Sequence, residues 1–345
     1  MRLIYFHQHF TTPHGNGGTR SYEFAKYFAS KNIDVTIICG TYVGGNSGLD
    51  GEFIQGRREG FLDGFKVIEF YIPYSNKDTF LQRGIKFLLY SIRSTKLVFS
   101  IEHDLVYCTS TPLTAAIPGL VSKYFRNKKF IFEVRDLWPD LPIAMGIVKN
   151  PLIKRLLRYL EVISYQKSDL LIGLSPGIAD GISKKLTVTK PVKMIPNGCD
   201  SYIFENAPKN WSHQEISNTD FIAVYTGTHG LANGLDVVID AADYLAKNKS
   251  ENIKIVLVGN GSQKDRLKHL ALNKKLTNIL FLDPVTKNEV AAILARANIG
   301  LQLLSDIKEF YYGTSPNKFF DYIASELPVI TNYPGWIADL ISKYN

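Results

Sequence analysis

Short apolar runs that alternate with longer stretches of helical spacing restrict this chain more than any other feature. The runs are three to seven residues long, and most lead into a segment whose apolar residues recur at i, i+3 and i+4. A strand followed by a helix and a second strand is a βαβ unit, in which the helix crosses back and the two strands lie parallel. The alternation runs once to residue 195, pauses, and begins again at residue 221.

In the first set, strands are expected at residues 3–7, 34–39, 66–72, 105–108, 129–134, 170–174 and 193–195. Helices are expected at 21–30, 79–100, 113–124, 152–167 and 176–185. Residues 40–63 are rich in glycine and polar side chains and read as a long loop. In the second set, strands fall at 221–225, 253–258, 279–282, 299–304 and 329–331, and helices at 235–247, 264–272, 287–295 and 317–324. A chain of 345 residues is too long for one ordinary core and suits two domains. The break is expected after Asn197-Gly198, with residues 200–220 as a linker. The domains are then 1–199 and 200–345. The fold class is α/β: two Rossmann-like, doubly wound parallel-sheet domains. Such sheets bind ligands at the carboxyl ends of their strands. The two domains are expected to face each other across a cleft that holds the ligand.

Composition narrows the function classes. Apolar residues make up 45% and charged residues 21%, an ordinary globular balance that excludes disorder. Cys39, Cys108 and Cys199 lie far apart with no CxxC spacing, which points to a reducing, cytoplasmic compartment and away from zinc. His7, Gln8 and His9 interrupt the apolar start too early for a signal-peptide core, and no run of 18 apolar residues occurs. The net charge of +8 favours anionic partners. Cations are interleaved with apolar residues at 83–96, 123–129 and 154–158. Helices of that pattern lie on a membrane surface or pack on their own domain. No nucleic-acid motif is present, so nucleic acid is not expected as a partner.

Four segments at strand ends carry residue types suited to chemistry. The loop His14-Gly15-Asn16-Gly17-Gly18-Thr19-Arg20 follows a strand and opens a helix. It is either an anion cradle with Arg20 as a clamp or a tight turn. It is not GxGxxG in register, and no acidic residue closes the second strand, which argues against a dinucleotide site. The segment beginning Glu133-Val134-Arg135-Asp136 ends a strong strand. Arg135 and Asp136 either orient a sugar or hydroxyl or cap the next loop. The turn Gly227-Thr228-His229-Gly230-Leu231-Ala232-Asn233-Gly234 repeats the logic of the first loop, with amides for a diphosphate and His229 as a donor or as a surface histidine. In Ser315-Pro316-Asn317-Lys318-Phe319-Phe320-Asp321, Lys318 and Asp321 are three apart on one helix face. They form either a ligand-gripping couple or a surface ion pair. Asp136 and Asp140 are four apart, but Pro139 intervenes, so no metal site is expected.

Seven ordered segments carry a family resemblance: GGTRSYEFAKYFA, FEVRDLWPDLP, LSPGIADGI, IPNGCD, YTGTHGLANGLDVVIDAA, LVGNGSQKDRLKHLA and SPNKFFDYIASELPVI. Over essentially its whole length the chain resembles the family 4 glycosyltransferases of GT-B fold. It is most similar to the branch of O-antigen and capsule enzymes that includes N-acetylfucosamine transferases. The resemblance implies a retaining hexosyl- or N-acetylhexosaminyltransferase. Its donor is a nucleotide diphosphate sugar, UDP-sugar before GDP-sugar, with no cofactor and no metal. Its acceptor is a lipid-linked glycan of cell-surface polysaccharide synthesis, which places the enzyme in the cytoplasm, peripheral at the inner face of the plasma membrane. Residues 1–199 are then the acceptor-side domain and residues 200–345 the donor-binding domain; Gly17 and Gly18 approach the donor diphosphate from the first, and Gly227, Thr228, Asn233 and Gly234 face it from the second. Lys318 contacts the phosphates or sugar, Asp321 the ribose, Val285 the base, and Arg135 and Asp136 the reacting sugar.

The chain departs from the family pattern in four places. Of the family's glutamate pair, the second is Asp321 and the earlier falls at Gly313. Glu326 stands where the family has glycine, and Thr228-His229 replace a basic residue. The chain stops at Asn345, short of the C-terminal helix that family members carry, so a truncated C-terminal domain is expected. Two other functions fit the same architecture. One is a catalytically impaired remnant that still binds nucleotide sugar. The other is a UDP-sugar epimerase, which needs more strand-end carboxylates than this chain has.

Overall fold

The computed structural model describes residues 1–75, 78–250 and 252–344. The chain divides into two compact units, Met1–Pro196 with Tyr312–Ser315 and Asn197–Tyr311 with Pro316–Asn345. In the first unit the strands are β1 (Arg2–Phe6), β2 (Asp34–Tyr42), β3 (Arg57–Leu62), β4 (Phe65–Tyr74), β5 (Leu105–Thr109), β6 (Lys129–Val134), β7 (Leu170–Gly173) and β8 (Val192–Met194). Their order is β3-β4-β2-β1-β5-β6-β7-β8, and every pairing but β3 with β4 is parallel. The crossovers carry α1 (Arg20–Ser30), α2 (Phe80–Ser100), α3 (Ile117–Arg126), α4 (Asp140–Ala144), α5 (Pro151–Lys167) and α6 (Pro176–Lys184).

The second unit opens with α7 (Ser201–Glu205). It continues through β9 (Phe221–Thr226), α8 (Asp236–Lys247), β10 (Ile253–Val258), α9 (Lys264–Asn273), β11 (Ile279–Leu282), α10 (Lys287–Arg296), β12 (Ile299–Gln302), α11 (Lys308–Gly313), α12 (Asn317–Ala324), β13 (Val329–Thr331) and α13 (Trp336–Tyr344). Its parallel sheet has the order β11-β10-β9-β12-β13.

The central strands are mainly apolar on both sides because both their faces are covered. In β1, Leu3 and Tyr5 enter one cluster and Ile4 and Phe6 the other. In β9, Ala223 and Tyr225 face one way and Ile222 and Val224 the other.

Several expectations need correction. Residues 40–63 are not one loop, because β2 runs to Tyr42 and β3 forms an antiparallel hairpin with β4. The hairpin turns on Asp63-Gly64, with φ of 46° and 88°. Asp-Gly supplies the positive φ angles that a two-residue hairpin needs. β3 is hidden in the sequence because an edge strand is polar on its open face, and its Arg58 pairs with Glu69 of β4 at 2.7 Å. Residues 200–220 are not a bare linker either. They start with α7, whose buried Phe204 joins the core of the second unit. The helices α4, α11 and α13 are additions to the expected set.

The family glycine replaced by Glu326 also has an explanation. Glu326 has φ of 58°. Its N–H donates to Ile323 O at 3.0 Å, and the Leu327 N–H donates to Tyr322 O at 3.0 Å. This is the Schellman ending of α12, which favours glycine at the left-handed residue. A residue with a Cβ pays about 1–2 kcal/mol there, partly offset by the lower chain entropy of a non-glycine residue. Glu326→Gly should therefore stabilise the second unit by about 1 kcal/mol, a rise of about 2–4 °C in its calorimetric midpoint. An unchanged or lower midpoint would refute this account of the turn.

Candidate functional site

Each sheet reverses direction at its first strand. From β1 the chain passes to β2 on one side, and β5 is added on the other. From β9 it passes to β10, and β12 is added on the opposite side. Loops leaving such a strand diverge over opposite faces and open a crevice at its carboxyl end, where doubly wound folds bind ligands. Both glycine-rich turns singled out in the sequence leave these strands.

In the second unit, Gly227 follows β9 with φ of 140°. A Cβ there would lie 3.0 Å from Lys318 Cε, so glycine makes room for the lysine. Lys318, in the first turn of α12, points at this turn. Its Nζ sits 4.5 Å from the centroid of the Tyr225 ring, donates to Tyr225 Oη at 3.2 Å and lies 3.4 Å from Asn233 Oδ1. Tyr225 Oη in turn donates to Thr228 O at 2.9 Å, and Asn233 Nδ2 donates to the same carbonyl at 2.8 Å. Burial pushes the Lys318 ammonium down to about 8, with Asp321 opposing the shift. Gly227 and Thr228 are exposed. Gly234 has φ of 56° and packs on the backbone of Ser305. The result is a cation at the end of a sheet beside an exposed, glycine-shaped turn, which suits an anion.

The turn is braced from below. A Cβ at Gly259 would fall 1.9 Å from Gly227 O, and one at Gly261 would fall 2.4 Å from His229 O. Buried Lys264 ties this layer down, donating to Gly259 O and Leu282 O at 2.7 Å and to Asp283 Oδ1 at 2.8 Å.

His229 is not on the surface. It is fully buried, its ring 5.9 Å from Tyr225 and 6.3 Å from Phe281, and neither ring nitrogen has a partner. Burial, with Lys264, Lys318 and Lys268 adding to it, drives the imidazole down to about 4, so it is neutral at physiological pH. Its backbone brackets the turn, with N–H to Asn260 O and carbonyl from Gln263 N–H, both at 2.9 Å.

Lys318 and Asp321 share α12 but serve different partners. Asp321 is 8% exposed, and its Oδ1 lies 3.1 Å from Lys287 Nζ, a contact off the line of a good hydrogen bond. Lys287 also reaches Asp200 Oδ2 at 3.1 Å and covers the Phe204 ring. The expected ribose carboxylate is thus already bridged by a lysine. Val285, expected at the base, is half-buried and packs beside the core cluster that holds Phe204. Sequence reasoning missed Lys287 and Asp200. The one available signal was the capping box Thr286–Glu289, which starts a helix with Lys287 as its first residue.

In the first unit, the glycine loop packs on its own domain. A Cβ at Gly17 would lie 2.6 Å from Tyr42 Oη, and Gly18 is half-buried just ahead of α1. Arg20 does not point out as a clamp. Its Nε and Nη2 donate to Glu133 Oε2 at 3.0 and 2.8 Å, and its Nη1 and Nη2 reach Pro196 O and Ile195 O at 2.6 and 2.9 Å. Four of its five donors are taken, so it positions the strand ends. Glu133 also accepts from Tyr107 Oη and Thr109 Oγ1, both at 2.7 Å. Burial alone would raise the Glu133 carboxyl, but the Arg20 charge and hydrogen bonds overcome it and hold the group below the ordinary carboxylate range.

Arg135 and Asp136 follow β6 and do not pair with each other. Arg135 donates through Nη1 to His7 Nε2 at 3.1 Å, and its N–H donates to Ser110 Oγ at 2.9 Å. Asp136 accepts from Thr111 Oγ1 at 3.1 Å, and burial moves its carboxyl upward against Thr111 and Arg135. Among the described residues, no group of three or more His, Cys, Asp and Glu is arranged to hold a metal ion.

Two doubly wound α/β units are the architecture of a GT-B fold, and the family models identify the chain as a glycosyltransferase of that type. Residues 17–201 match Glycosyltransferase Family 4 and residues 208–345 match Glycosyl transferases group 1. The chain belongs to glycosyltransferase family 4. No curated protein sequence matches it significantly. Among solved structures it is similar to the sucrose-phosphate synthase of Thermosynechococcus elongatus, with TM-score 0.71 and 13% identity over 97% of this chain and 82% of that one. It is also similar to WaaG, a glycosyltransferase involved in lipopolysaccharide biosynthesis, with TM-score 0.66 and 15% identity over 99% and 84%. Anabaena HepE in complex with UDP-glucose gives TM-score 0.60 and 14% identity over 99% and 82%.

Removing one partner of the Arg20–Glu133 pair strands the other in the interior. Arg20→Met should cost about 3–5 kcal/mol at neutral pH in urea unfolding. The Glu133 carboxyl is held low in the folded state, so the pair stabilises above the unfolded carboxylate pKa and loses its effect as pH falls through the folded one. The stability gap between wild type and variant should therefore shrink toward acid pH, and a gap that widens there would contradict the assignment.

Proposed function

We propose that this glycosyltransferase is a retaining enzyme that moves a sugar from a nucleotide diphosphate donor, UDP-sugar before GDP-sugar, to a lipid-linked glycan. The carrying observation is Lys318, half-buried over Tyr225 beside the exposed turn Gly227-Thr228. A diphosphate there meets a concentrated positive charge and the first turn of α12. Its own charge returns the ammonium to the protonated form. The bound UDP-glucose of the similar HepE structure supports a uracil nucleotide.

In the proposed reaction the bond between the anomeric carbon and the diphosphate oxygen breaks. The acceptor oxygen bonds the same face, and its proton passes to the departing phosphate. Lys318 stabilises the charge that develops on the leaving group. Lys318→Ala should lower kcat/KM by about 10²-fold or more. In the wild type, kcat/KM for the donor should fall as pH rises through about 8, where free Lys318 loses its proton. Full activity of the variant, or a flat profile between pH 7 and 9, would rule the role out.

We further propose peripheral attachment to the inner membrane face, in keeping with synthesis on a lipid carrier. Among the described residues, no helix is long and apolar enough to cross a membrane. α2 instead presents Leu81, Ile85, Leu88, Leu89, Ile92 and Phe99 along one exposed stripe, from 37% to 72% accessible. Its opposite face buries Phe87, Tyr90, Leu97 and Val98. Exposed Leu152, Leu156 and Tyr159 of α5 and Tyr124 and Phe125 of α3 add to this apolar and basic surface. Such a surface suits anionic lipid. The protein should float with phosphatidylglycerol vesicles, release with salt, and float less as Ile85→Glu/Ile92→Glu. Equal recovery of the double variant would exclude α2 as the contact.

A further inference from the structure

The turn at residues 227–234 contains no lysine or arginine, so its cation comes from elsewhere in the second unit. Lys318 supplies it from α12, and four contacts close into a circuit. Lys318 Nζ donates to Tyr225 Oη at 3.2 Å and reaches Asn233 Oδ1 at 3.4 Å. Tyr225 Oη and Asn233 Nδ2 then converge on one atom, the carbonyl oxygen of Thr228, at 2.9 and 2.8 Å. The chemistry of the groups fixes each direction. An ammonium only donates and a carbonyl only accepts, so the Asn233 amide has one orientation and the tyrosine hydroxyl turns its hydrogen to Thr228. An aspartate at position 233 would lose the donor end of this bridge, and an alanine would lose both ends.

The circuit rests on fixed elements. Tyr225 is fully buried in β9. Asn233 ends a single helical turn, Leu231–Asn233, whose Ala232 carbonyl accepts from Ser305 N–H at 2.9 Å. Two of the three ammonium hydrogens of Lys318 are thereby directed inward, which leaves the third for a ligand. Both acceptors are neutral. Asp321, three residues along the same helix, is drawn off by Lys287, which also holds Asp200. Among the described residues, no carboxylate forms an ion pair with Lys318. A carboxylate partner would compete with an incoming anion, whereas neutral acceptors aim the ammonium and leave its charge to the ligand. The titratable groups facing Lys318 are Tyr225 from β9, His229 from the turn, with Lys264 and Lys268 of α9 behind it, and Asp321 from α12. Burial pushes the Tyr225 phenol up and the His229 imidazole down to about 4, so neither changes charge near pH 8.

We propose that Tyr225 and Asn233 are positioning residues for Lys318: they seat its ammonium between neutral acceptors, so that it meets a nucleoside diphosphate charged and already aimed. This rests on the transferase reading above, in which that diphosphate is the leaving group of the donor.

The test is the pH dependence of UDP affinity, measured by titration calorimetry on the full chain. In the native protein the affinity should fall as pH rises through about 8. A hydrogen bond accepted from the charged form holds a lysine pKa up. Tyr225→Phe and Asn233→Ala each remove one, so the fall should begin at lower pH, and affinity at neutral pH should weaken about tenfold, the scale of one hydrogen bond. Asn233→Asp sets a carboxylate beside the ammonium. Its fall should move to higher pH, while its affinity at neutral pH also weakens because the carboxylate opposes the diphosphate. A role confined to packing would weaken binding and lower the melting point in all three variants with the fall still at about 8, and that result overturns the proposal. Native affinity in both Tyr225→Phe and Asn233→Ala overturns it as well. Should Tyr225→Phe not fold, the opposite shifts of the two Asn233 variants decide alone. Shifted profiles in a chain that transfers no sugar would keep the positioning role and sink the transferase reading. Turnover with unmoved profiles would do the reverse, and a native protein that binds no UDP overturns both.

Discussion

Everything at the ligand side of this chain depends on how a parallel sheet is wound. A strand whose neighbours are reached in opposite directions leaves its carboxyl end uncovered, and the backbone there must turn sharply without a roof. β1 and β9 both occupy this position. Each leads into a glycine-rich turn, exposed at Gly227 and Thr228 after β9 and packed on its own domain at Gly15 and Gly17 after β1.

Buried charge then fixes the turns in space. In the first unit, Glu133 at the end of β6 gathers Arg20, Tyr107 and Thr109, tying the start of α1 to two strand ends. In the second, Lys287 bridges Asp200 and Asp321, and so joins the first residue ahead of α7 to the middle of α12. Neither network is needed to hide apolar surface. Each sets the angle at which a short helix meets its sheet, and with it the aim of whatever that helix carries. Lys318 is such a passenger.

The sequence announces what is buried on both faces and is silent about what is half-exposed. β1, β6 and β10 are legible because doubly covered strands are apolar on both faces over most of their length. β3 is not, since an edge strand alternates and its polar residues resemble a loop, although Asp63-Gly64 was a readable hairpin signal. At the site, residue type and position could be read, but the partner could not. Arg20 looked free because Glu133 lies 113 residues away in sequence, and Asp321 looked free because Lys287 belongs to another helix. His229 looked exposed because nothing local reveals that Tyr225 and Phe281 enclose it. Pairing across the fold is a tertiary fact, and spacing along the chain does not encode it.

The contact between Gly227 and Gly259 bears on how this enzyme can be altered. The two turns touch backbone to backbone, with a would-be side chain on Gly259 overlapping the carbonyl of Gly227 and one on Gly227 crowding Lys318. The floor of the crevice is therefore a rigid two-ply sheet of peptide groups, with no side chain of its own to exchange. Substitutions that leave this floor intact are confined to its margins, at Thr228 or Asn233, where side chains can be traded without replacing the peptide layers beneath.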